Sequence, residues 1–141
     1  MNAIHGDNRV YSINPRGGYK QLDFEFGNKT EVWYSCSLQW QNNYYVFGGE
    51  TEKGQVSVVN GNRLERKGTL DFDFNGGGCT VLNQLTVVLC FDWDAFKTCR
   101  QSKSPLGSYT KLPNTNHHHG YTSIASFDGK KKRLKSQKLF F

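Results

Sequence analysis

The stretch that decides the fold is Cys36-Ser37-Leu38-Gln39-Trp40-Gln41-Asn42-Asn43-Tyr44-Tyr45-Val46-Phe47-Gly48-Gly49. It reads as a strand of small and apolar residues, a polar turn, a second apolar strand and a glycine pair. Its first residues return as Cys79-Thr80-Val81 and again as Thr122-Ser123-Ile124, 43 positions apart each time. A self-repeat of this length indicates an array of similar small units. The repeat therefore predicts the architecture before any single residue is interpreted.

Each complete unit reads as four short strands separated by turn residues. In the unit at residues 34–76, Asn60-Gly61 is a strong hairpin signal between two strands. Four antiparallel strands in a repeat of this length are typical of a propeller blade. The predicted strands of this unit are residues 35–39, 44–47, 55–59 and 63–70. Those of the next unit, residues 77–119, are 80–82, 85–91, 97–101 and 109–112.

The composition agrees with an all-β fold. The chain has 141 residues with 15 glycines, and aromatic and β-branched residues supply most of its apolar content. No window places apolar residues at the spacing of an amphipathic helix, and no apolar run reaches 18 residues. We therefore expect two full four-stranded antiparallel blades plus two incomplete ones, and no membrane-spanning segment.

The incomplete blades lie on either side of the two full units. Residues 1–33 are expected to supply the last two strands of one blade, and residues 120–129 the first strand of another. After Gly129 the repeat predicts a buried apolar strand, but the chain continues with four consecutive cations, which cannot be buried unpaired. Residues 130–141 are therefore expected to be a disordered basic tail or a segment that does not belong to the repeat.

The positive charge of the chain is concentrated in that tail. The net charge is +6, and residues 1–129 carry 12 basic and 12 acidic residues. The field therefore comes from a terminal segment and not from a groove on the folded part. We expect no nucleic-acid partner for residues 1–129. The tail cations are Lys130, Lys131, Lys132, Arg133, Lys135 and Lys138.

The unit at residues 34–76 resembles a kelch repeat of a β-propeller. The likeness lies in the apolar strand that ends in Gly48-Gly49, preceded by a small-residue strand and followed by two more strands. In residues 77–119 it is carried by period and strand order, and Phe91-Asp92 takes the position of the glycine pair. The resemblance implies a rigid scaffold whose loops bind a protein partner, and we expect it to be non-enzymatic and to hold no cofactor. The candidate loops are residues 50–54, 92–96, 101–107 and 113–120.

The number of units has a consequence for assembly. Propellers close with four to eight blades, so two full blades with two partial ones would leave apolar faces unpaired. We therefore expect a fragment of a larger propeller, or blades that complete a ring with another chain.

Two other functions remain open. Some kelch-like propellers, such as galactose-oxidase-like enzymes, hold copper with tyrosine and histidine and contain a cysteine-modified tyrosine. This chain has cysteines, tyrosines and a histidine cluster, but no sequence context that joins them. The basic tail could alternatively serve as a nuclear-import signal or a nucleic-acid contact. In that case, deletion of residues 130–141 should remove all binding and its salt dependence.

The four cysteines have two interpretations. Cys90 and Cys99 lie on consecutive predicted strands and could face each other across a hairpin, either as a disulfide or as two buried small side chains. Cys36 and Cys79 occupy equivalent positions of adjacent units, where the pattern calls for a small packing residue. No Cys-x-x-Cys pair is present, so we expect no structural zinc site.

The remaining polar clusters predict no catalytic, cofactor or metal site. Only His117 and His119 of the histidine run would share a face, and no acidic residue or cysteine stands beside them. The pairs Asp71/Asp73 and Asp92/Asp94 are expected at solvated turns. Asn28 begins a glycosylation sequon that matters only in a secreted protein. Compartment stays open between cytoplasm and secretion, with the sequon and the Cys90/Cys99 pair favouring secretion.

Overall fold

The chain folds into antiparallel β-sheets. The computed structural model describes residues 2–4, 10–13, 18–22, 34–61 and 63–119, and these residues contain eleven strands and no helix. Within these ranges, therefore, no helix could span a membrane. The first sheet has the order β1-β2-β3 and belongs to the N-terminal region. Its strands are β1 (Asn2–Ile4), β2 (Val10–Ile13) and β3 (Tyr19–Leu22).

The N-terminal sheet differs from the sequence expectation in strand number. Two strands were expected in residues 1–33, whereas β1 pairs with β2 and β2 with β3 in one antiparallel sheet. The additional strand is β1, only three residues long. So short a strand, at the very start of the chain, offers too few residues for an alternating pattern to be recognised.

The second sheet is a four-stranded meander with the order β4-β5-β6-β7. Strands β4 and β5 are joined by a two-residue turn in which Gln41 has a positive φ of 53°. From the sequence, Asn42-Asn43 would form this turn, because asparagine tolerates positive φ. The turn instead lies one residue earlier, and Asn43 begins β5. The strands are β4 (Cys36–Trp40), β5 (Asn43–Phe47), β6 (Gln55–Asn60) and β7 (Arg63–Thr69).

The third sheet repeats the meander 43 residues later, with the order β11-β10-β9-β8. Its last strand is a two-residue pairing at the sheet edge. All eight strands of the second and third sheets begin and end within two residues of their predicted limits. The strands of the third sheet are β8 (Gly78–Leu82), β9 (Thr86–Cys90), β10 (Cys99–Ser102) and β11 (Thr110–Lys111).

The main hydrophobic core lies between the second and third sheets. Side chains from one face of β4, β5 and β6 meet side chains from one face of β8 and β9, and Leu70 and Phe74 enter from the connection between the sheets. Alternation along each strand produces this face, because every second residue points to it. The buried members are Leu38, Trp40, Phe47, Val56, Leu70, Phe74, Cys79, Val87 and Leu89.

The opposite faces of both sheets are buried as well. In the second sheet Val46 and Ser57 pair across β5 and β6 on the face turned away from the core, and they are 2% and 1% exposed. In the third sheet Thr80 and Val88 pair in the same way across β8 and β9 and are also buried. The central positions of each sheet are therefore covered on both faces, whereas a two-layer sandwich leaves the outer face of each sheet to solvent.

Two disulfides use all four cysteines of the chain. Cys90 and Cys99 are direct cross-strand partners of β9 and β10, with Cα atoms 4.0 Å apart. Cys36 and Cys79 form the second bond, with Cα atoms 5.9 Å apart. This bond differs from the packing role expected for them. It forms because β4 and β8, the first strands of their sheets, lie side by side, so that equivalent positions meet.

Candidate protein-binding surface

Four connections converge at one end of the two four-stranded sheets. In a meander, alternate connections lie at the same end of the sheet. The loop after the second strand of each unit therefore lies at the same end as the segment that follows the fourth strand. We call this surface the loop end. It comprises Tyr34 and residues 48–54, 70–77, 91–98 and 112–119.

Backbone hydrogen bonds hold the loop end together. The N–H of Gly49 donates to the carbonyl of Phe74 at 3.2 Å, and the N–H of Phe74 donates to the carbonyl of Lys53 at 2.9 Å. The two units are linked where the N–H of Trp93 donates to the carbonyl of Asn75 at 2.7 Å. These bonds satisfy backbone groups that would otherwise be buried without partners. The connections therefore form a fixed platform.

The glycine pair permits the closest of these approaches. Gly48 and Gly49 have φ values of 62° and 130°, a region that L side chains rarely adopt. A Cβ atom on Gly48 would also overlap the carbonyl oxygen of Phe74. The apolar strand ends in Gly-Gly because the connection to the next sheet passes directly over it.

In the second unit Phe91 takes the place of Gly48. Its φ is 64°, and its N–H donates to the carbonyl of Thr98 just as that of Gly48 donates to Gln55. Thr98 and Gln55 are 43 residues apart, so the backbone pattern is kept although the glycine is lost. The Phe91 ring stacks on His119, with ring centroids 4.4 Å apart.

Two aromatic side chains are exposed on the platform. Tyr34 is 48% and Trp93 is 44% exposed. Gly76 is adjacent to both residues: its N–H donates to the carbonyl of Tyr34, and a Cβ atom on it would lie 3.8 Å from the Trp93 ring. The centroid of the Phe96 ring lies 6.0 Å from that of Trp93 and 6.2 Å from that of His118. Three aromatic rings are therefore neighbours at the loop end.

The loop end is also acidic. It contains six acidic residues and two lysines, whereas the remainder of residues 34–61 and 63–119 contains one acidic residue, Glu65 on β7. Lys53 and Asp94 form an ion pair of 3.8 Å between equivalent loops of the two units. Because both side chains are exposed, this pair contributes little stability. The six acidic residues are Glu50, Glu52, Asp71, Asp73, Asp92 and Asp94.

Asp92 differs from the other acids because it is buried. Its Oδ1 accepts a hydrogen bond from the backbone N–H of Asp94 at 3.1 Å, and the whole residue is 6% exposed. Burial raises the pKa of the Asp92 carboxyl above its usual 3.8, and the hydrogen bond from Asp94 opposes that rise. Asp92 was expected at a solvated turn. Its backbone position, equivalent to Gly49, places it inside the platform instead.

Three of the four candidate loops meet at the loop end. Residues 50–54, 92–96 and 113–119 lie there, while Gly120 is outside the described residues. In the fourth loop, residues 103–107 belong to the connection between β10 and β11 at the opposite end, while Gln101 and Ser102 are the last residues of β10. Tyr34 and the connection 70–77 were missing from the candidate loops. Alternate connections of a meander lie at the same end of the sheet, so the strand order together with the acidic residues of 70–77 could have indicated that Tyr34 and this connection belong to the surface.

The histidine run is not grouped with other potential metal ligands in the part of the chain that the structure describes. The carbonyl of His117 accepts the hydroxyl of Thr115 at 2.8 Å, while His119 is half-buried against Phe91. Within the ranges that the structure describes, no group of three or more histidine, cysteine or acidic side chains is arranged to hold a metal ion. Asp71 and Asp73 are exposed, as expected of solvated turn residues.

Three predicted features fall outside the described residues. They are Asn28 with its sequon, the first strand of a further blade at residues 120–129, and the basic tail at residues 130–141. All three remain predictions from the sequence. Comparison with known protein families and with curated proteins finds no match to this chain.

Proposed function

We propose that this chain is part of a kelch-like β-propeller that acts as a non-enzymatic scaffold for protein binding. The observation that carries the proposal is the loop end, a hydrogen-bonded platform on which the large side chains of Tyr34 and Trp93 are 48% and 44% exposed. Tyrosine and tryptophan are the side chains that most often dominate protein interfaces, because they bury a large area at a small cost in conformational entropy. A rigid platform lowers the cost of ordering them further.

Three observations support the propeller. Two four-stranded meanders follow each other at the 43-residue repeat, and their first strands are neighbours. Central positions on both faces of each sheet are buried, as expected of blades and not of a two-layer sandwich. The Cys36–Cys79 disulfide joins equivalent positions of the two units. The remaining blades would come from the rest of the ring, either in a longer chain or in a partner.

The binding proposal is tested by affinity capture with matched variants of the full chain. The double variant Tyr34→Ser/Trp93→Ser alters the loop end. The control, Leu82→Ser/Leu85→Ser, alters two exposed leucines at the opposite end, which are 39% and 65% exposed. We expect the first variant to lose specifically retained proteins and the second to keep them. Equal retention by both variants would refute the loop end as the binding surface.

The copper-oxidase alternative loses one of its requirements. A cysteine-modified tyrosine needs a free thiol, and all four cysteines are in disulfides. Copper titration followed by absorbance tests the alternative directly. Stoichiometric copper uptake that is abolished by His117→Ala/His119→Ala would support a copper enzyme in spite of the disulfides.

The disulfides also support a compartment. Disulfides form and persist in oxidising environments, so two bonds that use every cysteine favour a secreted or otherwise oxidising location. We therefore propose secretion over the cytoplasm. Glycosylation of Asn28, detected as a mass increase removed by an amidase, would provide independent support.

A further inference from the structure

We infer that the partner bound at the loop end is a lysine- or arginine-rich segment of another protein. This inference rests on the proposed function and adds the chemical class of the partner. Its basis is the coincidence, on one rigid surface, of an excess of carboxylates with exposed aromatic rings.

The charge argument begins with how the charges are distributed. Six of the seven acids in residues 34–61 and 63–119 lie at the loop end, which has a net charge of −4 when histidine is neutral. The same ranges contain eight basic residues; Lys53 and Lys97 belong to the loop end, and the guanidinium of Arg100 on β10 reaches it by lying over the Phe72 ring, which reduces the excess of negative charge there to three. The two units are thus polarised along their strands. A surface of one sign steers an oppositely charged partner towards it and disfavours partners of the same sign.

The accessible carboxylates lie on two different connections. Glu50 and Glu52 belong to the loop between β5 and β6, whereas Asp71 and Asp73 belong to the connection between β7 and β8, and all four are exposed. Hydrogen bonds through Gly49, Phe74 and Lys53 hold these two connections against each other. The carboxylates therefore extend from two connections whose backbones are held together, and carboxylates spread over two connections suit several cations in one segment better than a single small cation.

The aromatic rings distinguish this surface from a merely acidic one. Trp93 lies beside Asp94 in sequence and over Gly76, and Tyr34 adjoins Gly76. The faces of tryptophan and tyrosine attract ammonium and guanidinium groups. The chain already contains one such contact, since the Arg100 guanidinium lies 4.0 Å from the centre of the Phe72 ring. Alternating carboxylates and rings can therefore bind both the charge and the aliphatic stem of lysine or arginine.

The experiment titrates the full-length oxidised protein with a ten-residue polylysine peptide, followed by calorimetry and repeated at three salt concentrations. Binding to the unmodified protein should weaken as salt is raised, because the contacts are ionic. The variants Glu50→Gln/Glu52→Gln and Asp71→Asn/Asp73→Asn should each weaken binding about fivefold or more. Trp93→Ser should weaken it at least threefold through loss of the ring.

Glu65→Gln is the matched control. Within residues 34–61 and 63–119, Glu65 is the one acidic residue outside the loop end, and its carboxylate pairs with Lys67 at 2.8 Å. Its replacement should change peptide affinity less than twofold. Equal weakening by Glu65→Gln and by the loop-end variants would overturn the inference, since it would indicate attraction by net charge alone. No binding of the peptide at low salt would overturn it as well.

The basic tail of this chain could compete with the peptide for the loop end. A variant of the full chain in which the six tail cations are replaced by glutamine tests this competition. Less than a twofold change in peptide affinity supports a partner in trans. An increase of tenfold or more would show that the tail occupies the surface, which overturns the inference as stated.

The inference and the proposed function fail separately. If Tyr34→Ser/Trp93→Ser abolishes specific capture but polylysine does not bind, the scaffold stands and the cationic partner is refuted. If capture does not depend on those residues, the scaffold proposal is refuted at this surface whatever the peptide does.

Discussion

Single residues decide the close contacts of this fold. Gly48 and Gly61 both have positive φ, at 62° and 55°, but only Gly48 lies against other backbone. A side chain at Gly61 would meet no atom within 4 Å. The two glycines therefore separate the cost of backbone conformation from the cost of steric overlap.

Gly61→Ala should lower the free energy of unfolding by about 1 kcal/mol, the usual cost of the left-handed conformation for an L residue. Gly48→Ala should lower it by about 3 kcal/mol or more, because the added Cβ forces the Phe74 carbonyl away. Urea denaturation of the two variants measures both. Equal losses would show that the connection at Phe74 moves aside without cost.

Asp92 should make stability depend on pH. Its folded pKa is raised by burial, so its contribution to stability is complete below the usual pKa of 3.8 and is lost as the pH rises through the folded pKa. Asp92→Asn keeps an oxygen that can accept the Asp94 N–H but cannot ionise. We expect the variant to lose less stability than the unmodified protein between pH 4 and pH 7.

The control for this variant is Asp94→Asn, which removes a charge from the same loop but leaves the buried carboxyl in place. Thermal unfolding followed at each pH compares the three proteins. A pH dependence that Asp92→Asn leaves unchanged would show that another group is responsible.

At the scale of elements, the connection at residues 70–77 couples the two four-stranded sheets. Phe74 is buried in the core between them, and Phe72 packs edge-on against Tyr109 at 5.7 Å. The Tyr109 hydroxyl donates to the carbonyl of Pro105, and burial raises the pKa of Tyr109 above its usual value. The connection at residues 70–77 therefore packs between the two sheets in addition to forming part of the loop end.

The disulfides stabilise these elements unequally. The Cys36–Cys79 bond closes 43 residues and the Cys90–Cys99 bond closes nine. Chain-entropy arguments give about 4 kcal/mol for the longer loop and about 2.5 kcal/mol for the shorter one. Replacing each pair by serine should reproduce this order in urea denaturation. A larger loss at Cys90/Cys99 would show that the hairpin, and not the contact between sheets, limits stability.

Element positions were largely predictable, and contacts between elements were not. The alternation of apolar residues and the turn residues locate all eight strands of the four-stranded sheets to within two residues. The Cys36–Cys79 bond was not predicted, although the 43-residue repeat could have indicated it. Two cysteines at equivalent positions of adjacent first strands become neighbours when the units pack side by side. The burial of Asp92 and the exposure of Trp93 depend on how four separate connections pack against one another. The residue pattern along the strands carries no information about that packing.

At the scale of the whole molecule, the stacked sheets bear on assembly. The propeller proposal holds that further blades complete the ring. We expect sedimentation velocity to show self-association, or exposed apolar surface that binds a hydrophobic dye, when the chain is studied alone. A compact monomer that unfolds cooperatively and binds no dye would contradict the requirement for further blades.

The bond between Cys36 and Cys79 also has a mechanical meaning. A force applied along the chain passes from β4 to β8 through the sulfur atoms and bypasses the whole second sheet. At about 3.5 Å for each extended residue, the bond withholds roughly 150 Å of contour length from any pulling force. The second sheet can lose its packing under tension without being drawn out, so it can reform in place when the load is removed.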